Sequence, residues 1–501
     1  MILERWIRKR LNDYCEVVNT VHPDKPIKPG VPRTVAVVGG GLAGIAAASL
    51  LAERGFKVTL FEKNSYLGGK CGGWEVSFPD GSQAMVDHGF HAFFGHYYNL
   101  LAFLEKIGST KFFQRIDDYA ILTQSKQRFS FKNVHRTPIL NILSMMKTGF
   151  FRFRDVILNP GSRHMGEFLR YDESRSFEAY DGLSFEEFAR QSGLPSSLRL
   201  VFNTFARAFF APADRLSTAQ LMKSFHFFYL SNDCGLLYDY FTRDYGSALL
   251  EPVVRHLRKL DVDIKLNQSV HELSRREGGF EIHSERFDYV VLATHVVGTK
   301  SICENSSWLR EQYPDAYHQI TSVQASSGYA VYRIWLDARV QEDWPVFIIT
   351  DKYRILDSVT FFHLFEPSAK AWAEKQNGGV YELHCYALPD EIQDRSQVKQ
   401  SFLHEFYEYF PELRKAHILH EHLQVNHDFT ALYTGLQKNR PQYRTAVPGL
   451  YLAGDWVRIP TPAMLMEGAF TSGLFCANGI LSENELREEP IRSVPLKGIF
   501  A

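Results

Sequence analysis

Residues 34–63 read TVAVVGGGLAGIAAASLLAERGFKVTLFEK. An apolar strand over 35–38 runs straight into Gly39-x-Gly41-x-x-Gly44, and a small-residue helix, roughly 42–54, follows. Gly39 permits the tight turn, Gly41 lets the backbone approach a pyrophosphate, and Gly44 lets the helix pack closely on a sheet. After Gly55, residues 57–61 supply a second strand that ends at Glu62, where an acid takes ribose hydroxyls, with Lys63 beside it. Strand, turn, helix, strand and acid in this order predict a dinucleotide site built from Gly39, Gly41, Leu42, Ala43, Gly44, Glu62 and Lys63. They also explain the apolar run over 34–52 better than a membrane span does, and no transmembrane helix is expected.

A matching segment lies far downstream, at 449–481: GLYLAGDWVRIPTPAMLMEGAFTSGLFCANGIL. It reads as a buried strand ending at Gly454-Asp455, then a helix opening at Met466-Glu467-Gly468-Ala469. Asp455 can accept hydrogen bonds from a ribityl or ribose hydroxyl, and a helix N-terminus favours electron-rich oxygen. Between the two segments, Gly68-Gly69-Lys70 and Gly72-Gly73 suit backbone passing close to a bound cofactor. A hairpin around Pro79-Asp80-Gly81 then delivers Asp87-His88-Gly89-Phe90-His91 to one place. His88 and His91 are candidate proton acceptors, since neutral imidazole works near pH 7 and Asp87 can orient one of them. Histidines bonded to loop backbone are the other reading. With His96 they lack zinc-ligand spacing, so no metal is expected.

With 501 residues, 45% hydrophobic and 23% charged, the chain can bury a large core and exceeds one ordinary domain. Its 56 Lys and Arg against 57 Asp and Glu give no bulk basic signal for nucleic acid. The 39 Phe and 24 Tyr allow either a long apolar substrate channel or a phenylalanine-rich core. Six scattered cysteines without paired spacing suggest a reducing compartment and no disulfide framework; Cys71 and Cys476 read as packing residues. At the N-terminus, Ile2, Leu3, Trp6, Ile7 and Leu11 can share a helical face beside Arg5, Arg8, Lys9 and Arg10. Such a helix either rests on an anionic membrane surface or docks on the protein's own body. The stretch TPILNILSMMKTGFFRFRD, 137–155, with Phe150, Phe151, Arg152 and Arg154, is a second candidate membrane-facing surface. The patterns divide the chain into an extension and linker at 1–34, a cofactor domain from 35–110, 236–300 and 426–485, a substrate domain from 111–235 and 301–425, and a tail at 486–501.

GGGLAGIAAASLLAERGFKVTLFEK, LGGK and LYLAGDWV with MEGA resemble the amine oxidase and carotenoid desaturase superfamily of FAD enzymes, across both ends of the chain. DHGFHAFFGHYYNLLAFLEKIG is similar to plant-type phytoene and zeta-carotene desaturases. SFHFFYLSNDCGLLYDYF and HDFTALYTGLQKNRPQYRTAVPGLYLAGDWVRIPTPAMLMEGAFTSG are more similar to carotenoid ring desaturase/methyltransferases of the isorenieratene-synthase kind. The resemblance implies an α/β two-domain flavoprotein, with a discontinuous Rossmann-type FAD-binding domain, an interleaved substrate-binding domain and noncovalent FAD. It assigns Gly39, Gly41 and Gly44 to the pyrophosphate, Glu62 to the adenosine ribose, Gly69 and Lys70 to a cofactor loop, and backbone near Val270 to adenine. Gly454 and Asp455 go to the ribityl or phosphate, and Met466, Glu467 and Ala469 to the flavin ring.

Leu465 stands where amine oxidases of the superfamily often carry tyrosine, and an apolar wall there suits hydrocarbon better than an amine. Gly468 departs from the ring-modifying group, which carries a larger basic residue. The implied activity is carotenoid desaturation by hydride transfer to flavin N5. On a beta-ionone ring, a 1,2-methyl shift would lead to an aromatic ring, and a membrane quinone or dioxygen would take the electrons. A flavin amine oxidase acting on a bulky amine, a redox-neutral carotenoid isomerase and an apolar-ligand-binding flavoprotein are the rival readings. The implied location is cytoplasmic and peripheral to a membrane.

Overall fold

Strand β1 (Thr34–Val38), helix α1 (Leu42–Glu53) and strand β2 (Lys57–Phe61) form the first βαβ turn, as the glycine pattern predicts. The structure is a computed structural model and describes the chain except residues 1, 148, 150–153, 155–157, 196–197, 200–201, 203–206, 208, 341–342, 352 and 393. Three further strands join: β3 (Asp263–Lys265), β4 (Tyr289–Leu292) and β5 (Leu450–Leu452). All pair in parallel in the order β3-β2-β1-β4-β5, the doubly wound arrangement of dinucleotide-binding sheets. Both faces are covered, which is why β1 and β4 read as unbroken apolar runs rather than alternating ones. One face packs on α1 and on helix α2 (Leu465–Glu483). The other packs on a small antiparallel sheet over 274–287 and on the helices Val296–Asn305, Ser307–Gln312 and Pro314–Thr321. On this packing we propose that the cofactor domain's second block runs to about residue 321 and not to 300.

Glycine sets how closely these parts approach. A Cβ on Gly39, whose φ is +109°, would lie 2.6 Å from the Ala293 carbonyl oxygen at the end of β4. One on Gly44 would lie 1.9 Å from the Gly39 oxygen, and one on Gly473 of α2 would lie 2.1 Å from the Ala43 oxygen of α1. The two helices therefore meet backbone to backbone, about 430 residues apart in the chain.

A second unit is a seven-stranded sheet in the order 418–426, 329–336, 379–385, 358–361, 347–350, 120–122 and 128–130. Side chains alternate across a strand, and here both faces are buried. Ala330, Tyr332, Ile334 and Leu336, with Tyr381, Leu383 and Cys385, pack under the helix Arg395–Tyr409. The opposite register turns Arg333, Glu382 and His384 toward the loop after the Asp80-Gly81 hairpin, whose strands are Gly73–Ser77 and Gln83–Asp87.

The N-terminal helix Ile2–Arg10 divides the residues that the sequence placed on one face. Ile7 and Leu11 dock with Tyr14 against Ile499, whereas Ile2, Leu3 and Trp6 point outward. A continuous apolar stripe drawn from Ile2 to Leu11 is thus too simple, because the helix is wedged against the chain's own C-terminus. Phe150, Phe151 and Arg152 of the second candidate surface lie outside the described residues. Among the described residues no helix is long and apolar enough to cross a membrane.

Candidate active site

The turn Gly39–Gly44 stands at the carboxyl end of the sheet, facing the second glycine loop. Gly41 bridges Gly68, and a Cβ on Gly69 would come within 3.0 Å of the Gly41 Cα. Leu42 and Ala43 form the first turn of α1, whose N-cap Gly41 brings no side-chain cap. Its leading N–H groups are left for an anion. Glu62 is buried at the end of β2, accepting from Gly40 N–H at 2.8 Å and Asn64 N–H at 2.9 Å, one per carboxylate oxygen. Each oxygen keeps a lone pair for a hydroxyl donor. Lys63 is exposed beside it. Val270 follows Gln268, whose N–H bonds the Glu62 carbonyl oxygen at 2.9 Å, so the residue comes back to the Glu62 edge.

From the far end of the chain, β5 brings Gly454, whose N–H donates to Ser472 Oγ of α2 at 2.7 Å. Asp455 follows, its carboxylate accepting from the Thr430 hydroxyl at 3.4 Å. Helix α2 also starts without a side-chain cap, at Met464. Met466 meets the second glycine loop through a 3.4 Å contact of its sulfur with Cys71 Sγ. Burial pushes the Cys71 thiol up to about 12, so it stays protonated and serves packing. Lys70 is turned to the strand end at 428: its ammonium donates to the Asp428 carbonyl at 3.0 Å and lies 4.9 Å from the Phe429 ring. Ala469 sits in the first turn of α2.

Two carboxylates make contacts that the sequence does not show. The Glu467 carboxylate accepts from the N–H groups of Asn99 and Leu100, both at 3.0 Å, and from Asn99 Nδ2 at 2.8 Å. It caps the helix Tyr98–Lys106 from outside. Asp87 was expected to orient a histidine. Instead it accepts from Arg333 at 2.9 Å, because the opposing sheet presents a guanidinium there. Arg333 also binds Glu382 at 2.6 Å; burial would raise that acid, but Arg333 and His384 hold it low. Glu382 in turn accepts the Phe90 N–H at 2.9 Å, so a buried ion cluster anchors the histidine loop from beneath.

On that loop, His91 Nδ1 donates to the Gly89 carbonyl at 2.6 Å, which leaves Nε2 as the acceptor nitrogen. Burial lowers both His91 and His88 to about 4, so both are neutral near pH 7. The His88 ring packs 4.8 Å from that of Trp74 and the His91 ring 5.5 Å from that of Tyr245. Sequence reading missed Arg333 and Glu382. Their signal was a single charge in each of two otherwise apolar strands, YAVYRIWL and GVYELHC.

A family model described as flavin containing amine oxidoreductase matches residues 42–481. The chain belongs to that family. Among curated relatives, it is 35% identical to a carotenoid phi-ring synthase of Streptomyces griseus, covering 94% of this chain and 92% of that protein. It is 27% identical to a carotenoid phi-ring synthase of Chlorobaculum tepidum, over the same shares. A solved structure of wild-type putrescine oxidase bound to putrescine superposes with a TM-score of 0.64 at 14% identity, over 90% of this chain and 99% of that one. This places the fold among two-domain flavoproteins. FAD is the cofactor of this family member, an FAD-dependent oxidoreductase, and the uncapped helix starts, the glycine cradle and Glu62 suit it.

Glu467→Gln puts an amide donor against the N–H groups of Asn99 and Leu100. It is expected to cost about 1–3 kcal/mol in denaturant unfolding, with the bound flavin spectrum unchanged. Loss of flavin at wild-type stability would return Glu467 to the cofactor.

Proposed function

We propose that this flavoprotein desaturates a carotenoid and converts a beta-ionone end group into an aromatic ring. The observation that carries the reading is the apolar wall at the head of α2. Leu465, Met464, Phe429, Leu432 and Ile459 form an apolar side of a cavity that they share with Lys223, Thr430, Arg440 and Asp455, and that side suits hydrocarbon better than an amine. The 35% identity to a carotenoid phi-ring synthase along nearly the whole chain supports the same substrate class.

In this reading Gly39, Gly41, Leu42, Ala43 and Gly44 hold the pyrophosphate, and Glu62 with Lys63 holds the adenosine end near Val270. Gly69, Lys70, Gly454, Asp455, Met466 and Ala469 surround the remainder. Bound FAD supplies a two-electron oxidant at an allylic carbon. The oxidised polyene is a delocalised cation, and dry walls keep water from adding to it. On a ring with a geminal dimethyl carbon, one methyl group migrates to the neighbouring carbon. Proton loss and a second oxidation then give the aromatic ring, with every methyl retained. His91 Nε2 is the proton acceptor, held in that tautomer by the Gly89 carbonyl. A membrane quinone or dioxygen takes the electrons onward.

The N-terminal helix gives such a protein a way to meet lipid. Ile2 is 89% exposed and Trp6 46%, and Trp6 lies 6.2 Å from Phe500, itself 49% exposed; Arg5, Arg8, Lys9 and Arg10 surround them. Aromatic and aliphatic tips within a basic ring suit an anionic membrane surface.

Anaerobic holoenzyme mixed with beta-carotene is expected to lose oxidised-flavin absorbance and to yield a product with fewer hydrogens and an unchanged methyl count. Bleaching by bulky amines alone would overturn the reading, and a geometric isomer formed without bleaching would replace it with isomerisation. His91→Ala is expected to lower turnover about 10²-fold or more with FAD still bound. Because His91 is neutral above about 4, the wild-type rate should be flat near neutral pH and fall only as pH approaches that value. Unchanged turnover in the variant would remove His91 from the chemistry. For the helix, Trp6→Glu should abolish co-sedimentation with anionic phospholipid vesicles; equal binding by variant and wild type would place the contact elsewhere.

A further inference from the structure

The helix Thr218–Phe225 is buried along its whole length, and it carries one charge, Lys223, only 5% exposed. Lys223 lines a cavity that it shares with Asp455, Met464, Leu465, Gly468 and Phe429, where the substrate block meets the start of α2. The helix is fixed at its other end by Ser217, whose hydroxyl donates to Asp181 at 2.9 Å, and by a Gln220 to Gln437 bond of 3.1 Å. Among the described residues the Lys223 ammonium has no hydrogen-bond or ion-pair partner, although its carbonyl accepts the His226 N–H at the end of the helix. Glu173 attracts the ammonium without pairing with it, while Arg440 and Arg458 repel it. Arg440 spends its guanidinium on the carbonyl oxygens of Asp455, Trp456 and Val457, at 2.5, 3.1 and 3.4 Å. Burial and these two arginines lower the basicity of Lys223.

An ammonium held at 5% exposure without a counterion is costly unless a ligand supplies an acceptor. Its presence calls for an acceptor that the protein chain does not provide. A hydrocarbon cannot be that acceptor. The residues sharing the cavity with Lys223 are those at the carboxyl end of β5 and the start of α2, where the flavin ring is expected, and its pyrimidine edge offers carbonyl oxygen and, once reduced, negative charge.

We propose that Lys223 supplies the positive charge that meets the pyrimidine edge of bound FAD and makes the cofactor easier to reduce. The proposal rests on FAD binding and is independent of which substrate is oxidised. Lys223 thus acts from the substrate block on the cofactor, tying electron affinity to the seating of the two units.

The test uses FAD-loaded protein and no carotenoid. The flavin midpoint potential and the affinity for sulfite, which adds to electron-poor flavins, are measured for wild type, Lys223→Met and Lys223→Arg. Lys223→Met is expected to bind sulfite about tenfold more weakly and to lower the two-electron potential by about 30 mV, the equivalent of tenfold. Lys223→Arg should stay near wild type in both. The proposal fails if FAD-loaded Lys223→Met matches wild type in both measurements, or if Lys223→Arg behaves like Lys223→Met. It also fails if Lys223→Met cannot fold, because a cation needed for the fold would not be waiting for a ligand. The apoprotein of Lys223→Met is expected to be at least as thermostable as that of the wild type, since an unpaired buried charge is removed. Failure of carotene to bleach the flavin would leave these measurements unaffected.

Discussion

The contact on which the structure depends is the one between α1 and α2. Gly473 faces the Ala43 carbonyl so closely that a single methyl group would sit 2.1 Å from that oxygen. Close approach is what allows the last long helix to lie on the first one. With α2 seated there, Asp455 and Leu465 are delivered to the same end of the sheet as the Gly39–Gly44 turn. The proposed cofactor site therefore draws on both ends of the chain and is complete only after the intervening sequence has folded back. Overpacking at such a point forces backbone to move, with costs typically of about 1–3 kcal/mol.

The second constraint joins the units. Alternation along 329–336 and 379–385 sends one set of side chains into an apolar core and the other toward the histidine loop. Arg333, Glu382 and Asp87 then form a buried cluster in which each charge has a partner, and Phe362 lies 3.8 Å beneath the guanidinium. Buried pairs of this kind contribute little net stability, yet removing one member leaves a stranded charge. Their effect here is positional. The cluster ties Phe90 N–H and Asp87 in place, and His91 is held by the Gly89 carbonyl and packs on the Tyr245 ring.

The sequence made the cofactor half legible because its requirements are local. A glycine at each close approach, an acid at a strand end and a small-residue helix all recur within a few residues of one another, and the structure brings those segments together. What could not be read were interactions fixed by distant partners. Glu467 sits in a helix first turn, where an acid near a flavin is reasonable on local grounds, but its partners Asn99 and Leu100 lie more than 360 residues away. Asp87 stands one residue from a histidine and still bonds Arg333, 246 positions along the chain. Lone charges in apolar strands, such as Arg333 and Glu382, are the visible traces of these contacts, and their partners appear only in three dimensions.

Leu465 shows how local geometry and chemistry divide the work at the site. Its φ of +52° is a left-handed conformation that leucine rarely adopts, and it follows Met464 in a fully extended one, φ −135° and ψ 168°. Such a residue costs about 1–3 kcal/mol and persists where surrounding structure over-determines it. The over-determination comes from α2, whose N-terminal turn is anchored by Glu467 on one side and by the Gly473 contact with α1 further along. The backbone at Leu465 is thus set by contacts within the protein, while its side chain lines the cavity beside Asp455. A change of side chain at this position can alter what the cavity accepts without altering how the helix begins. On this division, an aliphatic wall and an aromatic one can be exchanged on the same flavin scaffold, and the cost of the strained turn is the same for both.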